Sequence, residues 1–236
     1  MGENALMKQV YFVTGTDTDA GKTAVTAGML HQGAASGLRT LGLKPVAAGC
    51  EMTPDGLRNS DALRLQESAS VKLPYQQVNP VALAEPIAPH IAAQREDRRL
   101  SADRLAAFCR GAMMQPADLV LIEGAGGWRV PLSPSESLSR LPQLLEVPVI
   151  LVVGIKLGCI SHALLTAEAI HRDGLHLAGW VANVLDPHMP VLEENIDTLR
   201  NSLRAPLLGV VPRLEPCTAE TVAPYIDLKH LQLHKK

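Results

Sequence analysis

The segment GTDTDAGKT, residues 15–23, has the composition of a loop that binds phosphate groups. It lies between an apolar stretch, VYFVT, and an alanine-rich stretch with helical character. In such a unit, backbone N–H groups and the positive end of the helix face phosphate oxygens. Lys22 would then reach the β- and γ-phosphates of a nucleoside triphosphate, and the Thr23 hydroxyl would coordinate Mg²⁺. Five residues separate Gly15 from Gly21 where the usual pattern has four, but the flanking elements favour a phosphate loop over a chance match.

Two acidic residues are candidates for the carboxylate ligands of that metal ion. Glu123 follows the apolar stretch DLVLI and precedes GAGG, so it ends a predicted strand. A buried carboxylate needs a cation nearby, which favours a metal role over a purely structural turn. Asp61, in RNSDA, lies near a predicted helix start. Because an Asp at such a position is usually a cap, the residues alone favour capping for Asp61.

Lys44 is a third candidate, because it ends an apolar strand and is followed by Pro45. In an open parallel sheet this position faces the ligand crevice. A second positive charge near a transferring phosphate would assist catalysis. A solvated lysine at the strand end explains the position equally well, so both interpretations stay open.

The elements that must position these residues alternate along the chain. Several apolar segments, VILVV among them, are apolar at consecutive positions, which is typical of strands covered on both faces. The predicted strands are Val10–Thr14, Thr40–Pro45, Leu119–Glu123, Pro148–Val153, Leu177–Asn183 and Pro206–Val211. The predicted helices are Lys22–Ser36, Asp61–Ala69, Ala102–Met114, Ile160–Arg172 and Leu192–Leu203, with Gly37 and Gly174 as C-terminal stops. The pattern predicts an α/β fold of the P-loop NTPase type, a doubly wound, mostly parallel sheet with helices on both faces.

No repeat or low-complexity linker interrupts this pattern, which predicts one domain over residues 1–236. Its core is expected at about 10–226, with tails at 1–9 and 227–236. The C-terminal tail, DLKHLQLHKK, is expected to be a solvated end and not a membrane anchor. Residues 52–99 are rich in Pro and polar residues and predict an extended excursion over the active-site end of the sheet.

The composition excludes several classes of protein. A net charge of −2 and an aromatic content of 3% argue against a nucleic-acid-binding protein. The longest apolar run, Val147–Ile155, is too short to span a membrane. Four widely separated cysteines indicate reduced, mostly buried thiols and neither a zinc site nor a disulfide framework. With an N-terminus that lacks the apolar region of a secretory signal, these features predict a cytoplasmic protein.

A longer set of motifs occurs in order along the chain. They are GTDTDAGKT, LKPVAAG, GLRNSDALRLQ, VNP, AEPIAPH, EGAGGW, PVILVVGIKLGCISHALLTA, GWVAN and APLLGVVP. With these motifs the chain, from about Val10 to Ile226, resembles the dethiobiotin synthetases, ATP-dependent ligases of biotin biosynthesis. The resemblance implies a homodimeric enzyme that closes the ureido ring of dethiobiotin from 7,8-diaminononanoate, CO₂ and ATP with Mg²⁺. It also implies a carbamate and a carbamic-phosphoric anhydride as intermediates.

The resemblance further implies a role for each matching residue. Lys22 and Lys44 would face the carbamate and the γ-phosphate, with Thr18 near them. The implied metal ligands are Thr23, Asp61 and Glu123, which reverses the capping role that position alone favours for Asp61. The implied nucleotide-binding residues are Asp19, Ala20, Gly21, Lys22, Thr23, Ala24, Asp61, Glu123, Gly124, Ala125, Gly126, Asn183, Val184, Pro212, Arg213 and Leu214. The implied substrate residues are Lys44, Ala48, Gly127 and, from a partner subunit, Cys159, Ile160 and Ser161. For Asn183, a structural role is the interpretation that its position alone favours.

Three departures from the family pattern fall on the diamine side. Ala48 replaces a frequent Ser, Ser161 replaces a frequent Asn, and Asn195 occupies the place of a common Tyr. A divergent paralogue with altered diamine specificity is therefore an alternative.

A P-loop switch ATPase of the chromosome-partition or septum-placement type is a second alternative. Such proteins usually carry an additional Lys early in the phosphate loop, and residues 16–20 contain none. A glutamine-dependent amidotransferase would need a glutaminase domain, for which 236 residues leave no room.

Overall fold

The computed structural model describes residues 8–231. Within that range the strands are β1 (Gln9–Gly15), β2 (Thr40–Leu43), β3 (Val46–Ala47), β4 (Glu51–Thr53), β5 (Gly56–Arg58), β6 (Val81–Ala82), β7 (Leu119–Glu123), β8 (Pro131–Ser133), β9 (Glu136–Ser137), β10 (Val149–Ile155), β11 (Leu177–Val184) and β12 (Leu207–Val211). The α-helices are α1 (Lys22–Ala35), α2 (Ser60–Ser68), α3 (Tyr75–Val78), α4 (Pro89–Arg95), α5 (Ala102–Ala112), α6 (Arg140–Leu145), α7 (Cys159–Arg172), α8 (Leu192–Ser202) and α9 (Ala219–Val222). Two 3₁₀ turns follow, at Ala223–Tyr225 and Leu228–His230.

Six of the strands form one parallel sheet in the order β12-β11-β10-β1-β7-β2. The two edges grow outward from β1 in opposite directions, which makes the sheet doubly wound and confirms the predicted fold class. In register, Val13 of β1 lies opposite Glu123 of β7, and Leu43 of β2 lies opposite Ile122. The carboxyl ends of these three strands therefore bring the phosphate loop, Glu123 and Lys44 to one edge.

Apolar side chains pack on both faces of the sheet. Along β1, Phe12 joins one cluster, with α5, α6, α7 and α8, while Tyr11 and Val13 join the other, with α1 and α9. All seven residues of β10 are buried, which confirms the expectation that VILVV is covered on both sides.

The predicted central elements are confirmed, with ends shifted by a few residues at most. Strand β2 ends at Leu43 and not at Pro45, because the Lys44 N–H donates to Val78 O outside the sheet. Gly37 and Gly174 follow the ends of α1 and α7 with positive φ angles of 83° and 77°, as expected of helix stops.

The expectation of an irregular excursion over residues 52–99 is wrong in part. A hairpin of β4 and β5, the helices α2, α3 and α4, and the pair β3–β6 organise this region. Of these elements only α2 has an apolar pattern long enough to be predicted from the sequence, as Asp61–Ala69. The other helices and strands are too short to show a period. The excursion does reach the active-site end of the sheet, where it forms one wall of the cavity described below.

The expectation of a solvated tail from residue 227 is also wrong for its first part. The Asp227 N–H donates to Leu208 O, and Leu228 and Leu231 are buried in the cluster that contains α1. At the other end, Gln9 belongs to β1 and not to a tail. Residues 1–7 and 232–236, on which the remaining tail and signal-sequence predictions fall, lie outside the described residues.

The four cysteines are free, and three of them are buried: Cys50, Cys109 and Cys159. Burial raises the pKa of the Cys109 thiol to about 12, so this thiol is unreactive at neutral pH. From residue 8 to residue 231, the chain forms no helix that is both long and apolar enough to cross a membrane.

Candidate active site

The phosphate loop joins β1 to α1 and has the backbone of an anion cradle. Gly21 immediately precedes α1 with φ +91°, a left-handed conformation. A Cβ atom at Gly21 would lie 2.0 Å from Asn183 Nδ2, which itself donates to Ala20 O at 3.0 Å. Only glycine fits at this position. With no side chain there, the backbone N–H groups at the start of α1 are open to the cavity, where they can bind an anion. Lys22 Nζ donates to Asp17 O at 3.0 Å and folds over the loop.

Four side chains from separate elements meet beside this loop. Lys44 Nζ lies 2.6 Å from Glu123 Oε1, 3.0 Å from Gly124 O and 3.3 Å from Asp61 Oδ2. The Thr23 hydroxyl donates to the same Glu123 oxygen at 2.8 Å. Lys44 is only 3% exposed and Glu123 is fully buried, so Lys44 is not a solvated strand-end residue. The contacts decide that open alternative in favour of a lysine inside the site.

Asp61 is likewise not the helix cap. Asn59 is the N-cap of α2, and its side chain accepts from the Ala62 N–H at 3.2 Å. The Asp61 carboxylate is therefore free to face Lys44 and the cavity.

The two lysines differ in their electrostatic surroundings. Burial, together with the charge of Lys44, lowers the pKa of Lys22 to about 8. Burial also acts to lower the pKa of Lys44, but Glu123 and Asp61 outweigh it and the pKa is raised. Lys44 thus carries its charge at neutral pH, whereas Lys22 lacks an anionic partner of comparable strength. A bound phosphate would supply that partner.

The donor atoms of this cluster suit Mg²⁺. Thr23 and the carboxylates of Asp61 and Glu123 offer oxygen atoms only, the ligands that Mg²⁺ prefers. Glu123 Oε2 is buried and has no hydrogen-bond partner, an arrangement that a cation would relieve. The described residues contain no group of three or more His, Cys, Asp or Glu that could bind a metal unaided.

Thr23, Lys44 and Asp61 line a cavity of about 800 Å³. Among the residues predicted from sequence, its walls contain Thr18, Asp19, Gly21, Lys22, Thr23, Ala24, Lys44, Ala48, Asp61, Ala125, Gly126 and Gly127. Those outside its walls are Ala20, Glu123, Gly124, Asn183, Val184, Cys159, Ile160, Ser161, Pro212, Arg213 and Leu214. Glu123 and Gly124 nevertheless contact the cavity residue Lys44, and Asn183 supports the loop from beneath.

Two groups of predicted residues are not brought to the cavity within this chain. Residues 159–161 form the N-terminal start of α7, where Cys159 is buried and Ser161 is exposed. Residues 212–214 follow β12. Their assigned roles stay predictions.

Sequence reasoning missed three polar residues of the cavity: Asn59, Arg64 and Arg129. Arg64 lies one helical turn after Asp61 and donates to Cys217 O at 2.6 Å, which ties α2 to the loop after β12. Because side chains three residues apart lie on the same face of a helix, the spacing of Asp61 and Arg64 indicates that both face the site. Arg129 pairs with Asp173 at 2.6 Å, and nothing in the local sequence indicates that partner.

The fold and the loop define a P-loop nucleoside-triphosphate-binding protein. The AAA domain family matches residues 9–221. Among solved structures, the MinC:MinD cell division protein complex of Aquifex aeolicus superposes with a TM-score of 0.57 at 15% identity, covering 92% of this chain and 85% of that one. The signal recognition particle receptor FtsY of Elizabethkingia anophelis gives 0.54 at 18% identity, covering 91% of this chain, which spans 64% of the receptor. At these identities the likeness concerns the fold alone.

Sequence relatives are far more similar. A protein of Cellvibrio japonicus named ATP-dependent dethiobiotin synthetase BioD is 62% identical over 226 residues, 96% of this chain and 99% of that protein. A protein of the same name from Pseudomonas aeruginosa is 58% identical over 221 residues, 94% of this chain and 97% of that protein. The chain therefore belongs to the ATP-dependent dethiobiotin synthetase family.

Proposed function

We propose that this chain carboxylates 7,8-diaminononanoate with CO₂ and closes the ureido ring, releasing dethiobiotin, ADP and phosphate. The observation that carries the proposal is the cluster of Lys44, Glu123, Asp61 and Thr23 beside the phosphate loop, in which Lys44 and Glu123 are buried. It offers positive charge for a transferring phosphoryl group and oxygen ligands for Mg²⁺ within one cavity.

The reaction proceeds in three steps. One amine of the diamine attacks CO₂ and loses a proton, which gives a carbamate. A carbamate oxygen then attacks the γ-phosphorus of ATP, ADP leaves, and a carbamic-phosphoric anhydride forms. The other amine attacks the carbonyl carbon, loses a proton and expels phosphate, which closes the ring.

Lys22 and Lys44 stabilise the negative charge in the second step. Glu123 and Asp61 hold Lys44 beside the phosphate loop, where it would face the carbamate and the γ-phosphate. Lys22, at the start of α1, neutralises the phosphates themselves. Thr18 lies in the wall of the same cavity, and we assign it a contact with the reacting groups.

Thr23, Asp61 and Glu123 would hold Mg²⁺, and Glu123 Oε2 is the buried oxygen that lacks a partner. When bound, the ion neutralises charge on the phosphates and orients them for in-line transfer. Lys44 contacts both carboxylates and so holds them in place beside the phosphate loop.

The nucleotide and the diamine occupy opposite parts of the cavity. Residues 19–24 and 124–126, with the implied adenine-side residues Asn183, Val184 and Pro212–Leu214, bind ATP. Ala48 and Gly127, with Lys44, line the diamine side. Ala48 offers no hydroxyl to the substrate, which favours altered diamine affinity over a change in the ATP chemistry.

The diamine site is completed in a homodimer. Leu157 is 91% exposed and Leu165 on α7 is 62% exposed, an apolar surface beside the N-terminus of that helix. A second subunit that packs on this surface would bring the N-terminus of its own α7, at Cys159, Ile160 and Ser161, to the diamine site of the first subunit. Because helix N-termini bind anions, this N-terminus would bind the distal carboxylate of the diamine. The free cysteines are compatible with action in the cytoplasm.

The test measures ADP release with 7,8-diaminononanoate and with shorter and longer diamines, each with and without bicarbonate. ATP turnover is expected only with a diamine and bicarbonate together, and fastest with the nonanoate. A preference for another chain length would identify a divergent paralogue. Steady turnover without any diamine would support a switch ATPase and contradict the proposal.

A further inference from the structure

A run of buried hydrogen bonds lies behind the cavity and involves residues that the proposed reaction does not use. Asn79 Nδ2 donates to Lys44 O at 2.6 Å, and the Lys44 N–H donates to Val78 O at 2.9 Å. Both backbone groups of Lys44 are therefore fixed by the C-terminal end of α3, at Val78 and Asn79. Asn79 is only 3% exposed, so these bonds are shielded from water.

The Tyr75 hydroxyl extends this run toward α2. It donates to Asn79 Oδ1 at 2.9 Å and accepts from the Asn59 N–H at 2.7 Å. Burial raises the pKa of Tyr75, more than the Asn59 N–H lowers it, so the hydroxyl keeps the proton that it donates. The Tyr75 side chain thus links Asn79, after α3, to Asn59, before α2.

Asn59 leads to the first turn of α2. Its side chain caps the helix by accepting from the Ala62 N–H, and Asp61 lies in that turn. Asp61 Oδ2 then returns to Lys44 Nζ at 3.3 Å. The contacts close a ring from the Lys44 backbone through Asn79, Tyr75 and α2 back to the Lys44 side chain.

We infer that Tyr75 and Asn79 are positioning residues that set the spacing between Lys44 and Asp61, and hence the geometry of the metal and phosphoryl-transfer site. The inference rests on the proposed function, in which Asp61 is a metal ligand and Lys44 faces the γ-phosphate. Residues that orient metal ligands through hydrogen bonds commonly have a strong effect on metal affinity or activity. Neither residue lines the cavity, and the proposed reaction assigns neither a contact with substrate.

The test compares Tyr75→Phe with Tyr11→Phe, a matched control. Tyr11 is also buried, at 3% exposure, and within residues 8–231 its hydroxyl donates only to Gln9 Oε1 at the start of β1. Tyr75→Phe leaves the Asn59 N–H and Asn79 Oδ1 buried without a partner, so the ring opens. We expect kcat to fall about tenfold with the KM for ATP within about twofold. Mn²⁺ affinity in the presence of ADP, measured by electron paramagnetic resonance, falls about fivefold. Tyr11→Phe changes neither quantity.

A second variant, Asn79→Ser, removes the bond to Lys44 O from the other side and is expected to behave as Tyr75→Phe does. Should Tyr75→Phe not fold, Asn79→Ser decides alone. The inference is overturned if a folded variant keeps the wild-type kcat and Mn²⁺ affinity. It is equally overturned if Asp61→Asn leaves Mn²⁺ affinity unchanged, or if both variants merely lose thermal stability to the extent of Tyr11→Phe. Failure of the proposed function is seen separately, as wild-type protein that forms no dethiobiotin.

Discussion

At the scale of single residues, Lys44 is the charge on which the proposed chemistry depends most. Its ammonium is buried and lies between the Glu123 and Asp61 carboxylates. Lys44→Ala removes the positive charge from the phosphoryl-transfer site, and we expect kcat to fall by about 10²-fold or more. Nucleotide affinity, measured by calorimetry with ADP, should change far less because Lys22 and the loop remain.

Lys72→Ala is the matched control for that variant. Among the residues that the structure describes, Lys72 Nζ donates only to the carbonyl groups of Gln66 and Glu67 at the surface. Its loss should leave turnover at the wild-type level. Wild-type turnover in Lys44→Ala would remove Lys44 from the catalytic residues.

The limits of sequence reasoning are clearest at this scale. The phosphate loop and Glu123 are recognisable because their chemistry follows directly from local spacing and strand ends. Lys44 and Asp61 are ambiguous in sequence, because their positions depend on a contact made in the folded chain. Lys44 Nζ lies 3.3 Å from Asp61 Oδ2, although the two residues are 17 positions apart in the sequence. Arg129 is not predictable at all, since its partner Asp173 belongs to the far end of α7.

At the scale of elements, the junction between the phosphate loop and α1 is the most constrained part of the site. Gly21→Ala combines a positive φ with a Cβ placed 2.0 Å from Asn183 Nδ2. The expected result is a large loss of ADP affinity and a lower melting temperature, because the α1 N-terminus must shift. Calorimetry and thermal unfolding measure the two effects.

Gly37→Ala is the control that introduces backbone strain without a steric collision. Gly37 has φ +83°, but a Cβ there meets nothing within 4 Å. This variant should lose about 1 kcal/mol of stability from backbone strain alone and keep its ADP affinity. Equal effects of the two substitutions on ADP binding would contradict the role given to the loop geometry.

Elements with long, regular apolar patterns are the ones that the sequence predicts well, namely the six sheet strands and the helices on its faces. The excursion over residues 52–99 is predicted poorly because α3 and α4, of four and seven residues, carry too few apolar positions to show a period. The packing of Leu228 and Leu231 is missed for a similar reason, since their pattern becomes apparent only against the cluster that contains α1.

At the scale of the whole molecule, we propose that a second subunit completes the active site. Leu157→Asp places a charge on the exposed apolar surface before α7 and should yield monomers in sedimentation experiments. The KM for the diamine should rise while ADP affinity stays constant. Met114→Asp, at a side chain that is 84% exposed on another part of the surface, is the control. A dimeric Leu157→Asp protein with normal kinetics would contradict this interface.

The measurement that tests the central claim most directly follows the carbon of bicarbonate into the product. Purified protein is incubated with ATP, Mg²⁺, 7,8-diaminononanoate and ¹³C-labelled bicarbonate, and the products are examined by mass spectrometry. The expected product is dethiobiotin that carries the heavy carbon in its ureido carbonyl, formed in step with ADP and phosphate. ATP hydrolysis that continues without the diamine, with no labelled dethiobiotin, would contradict the proposed function.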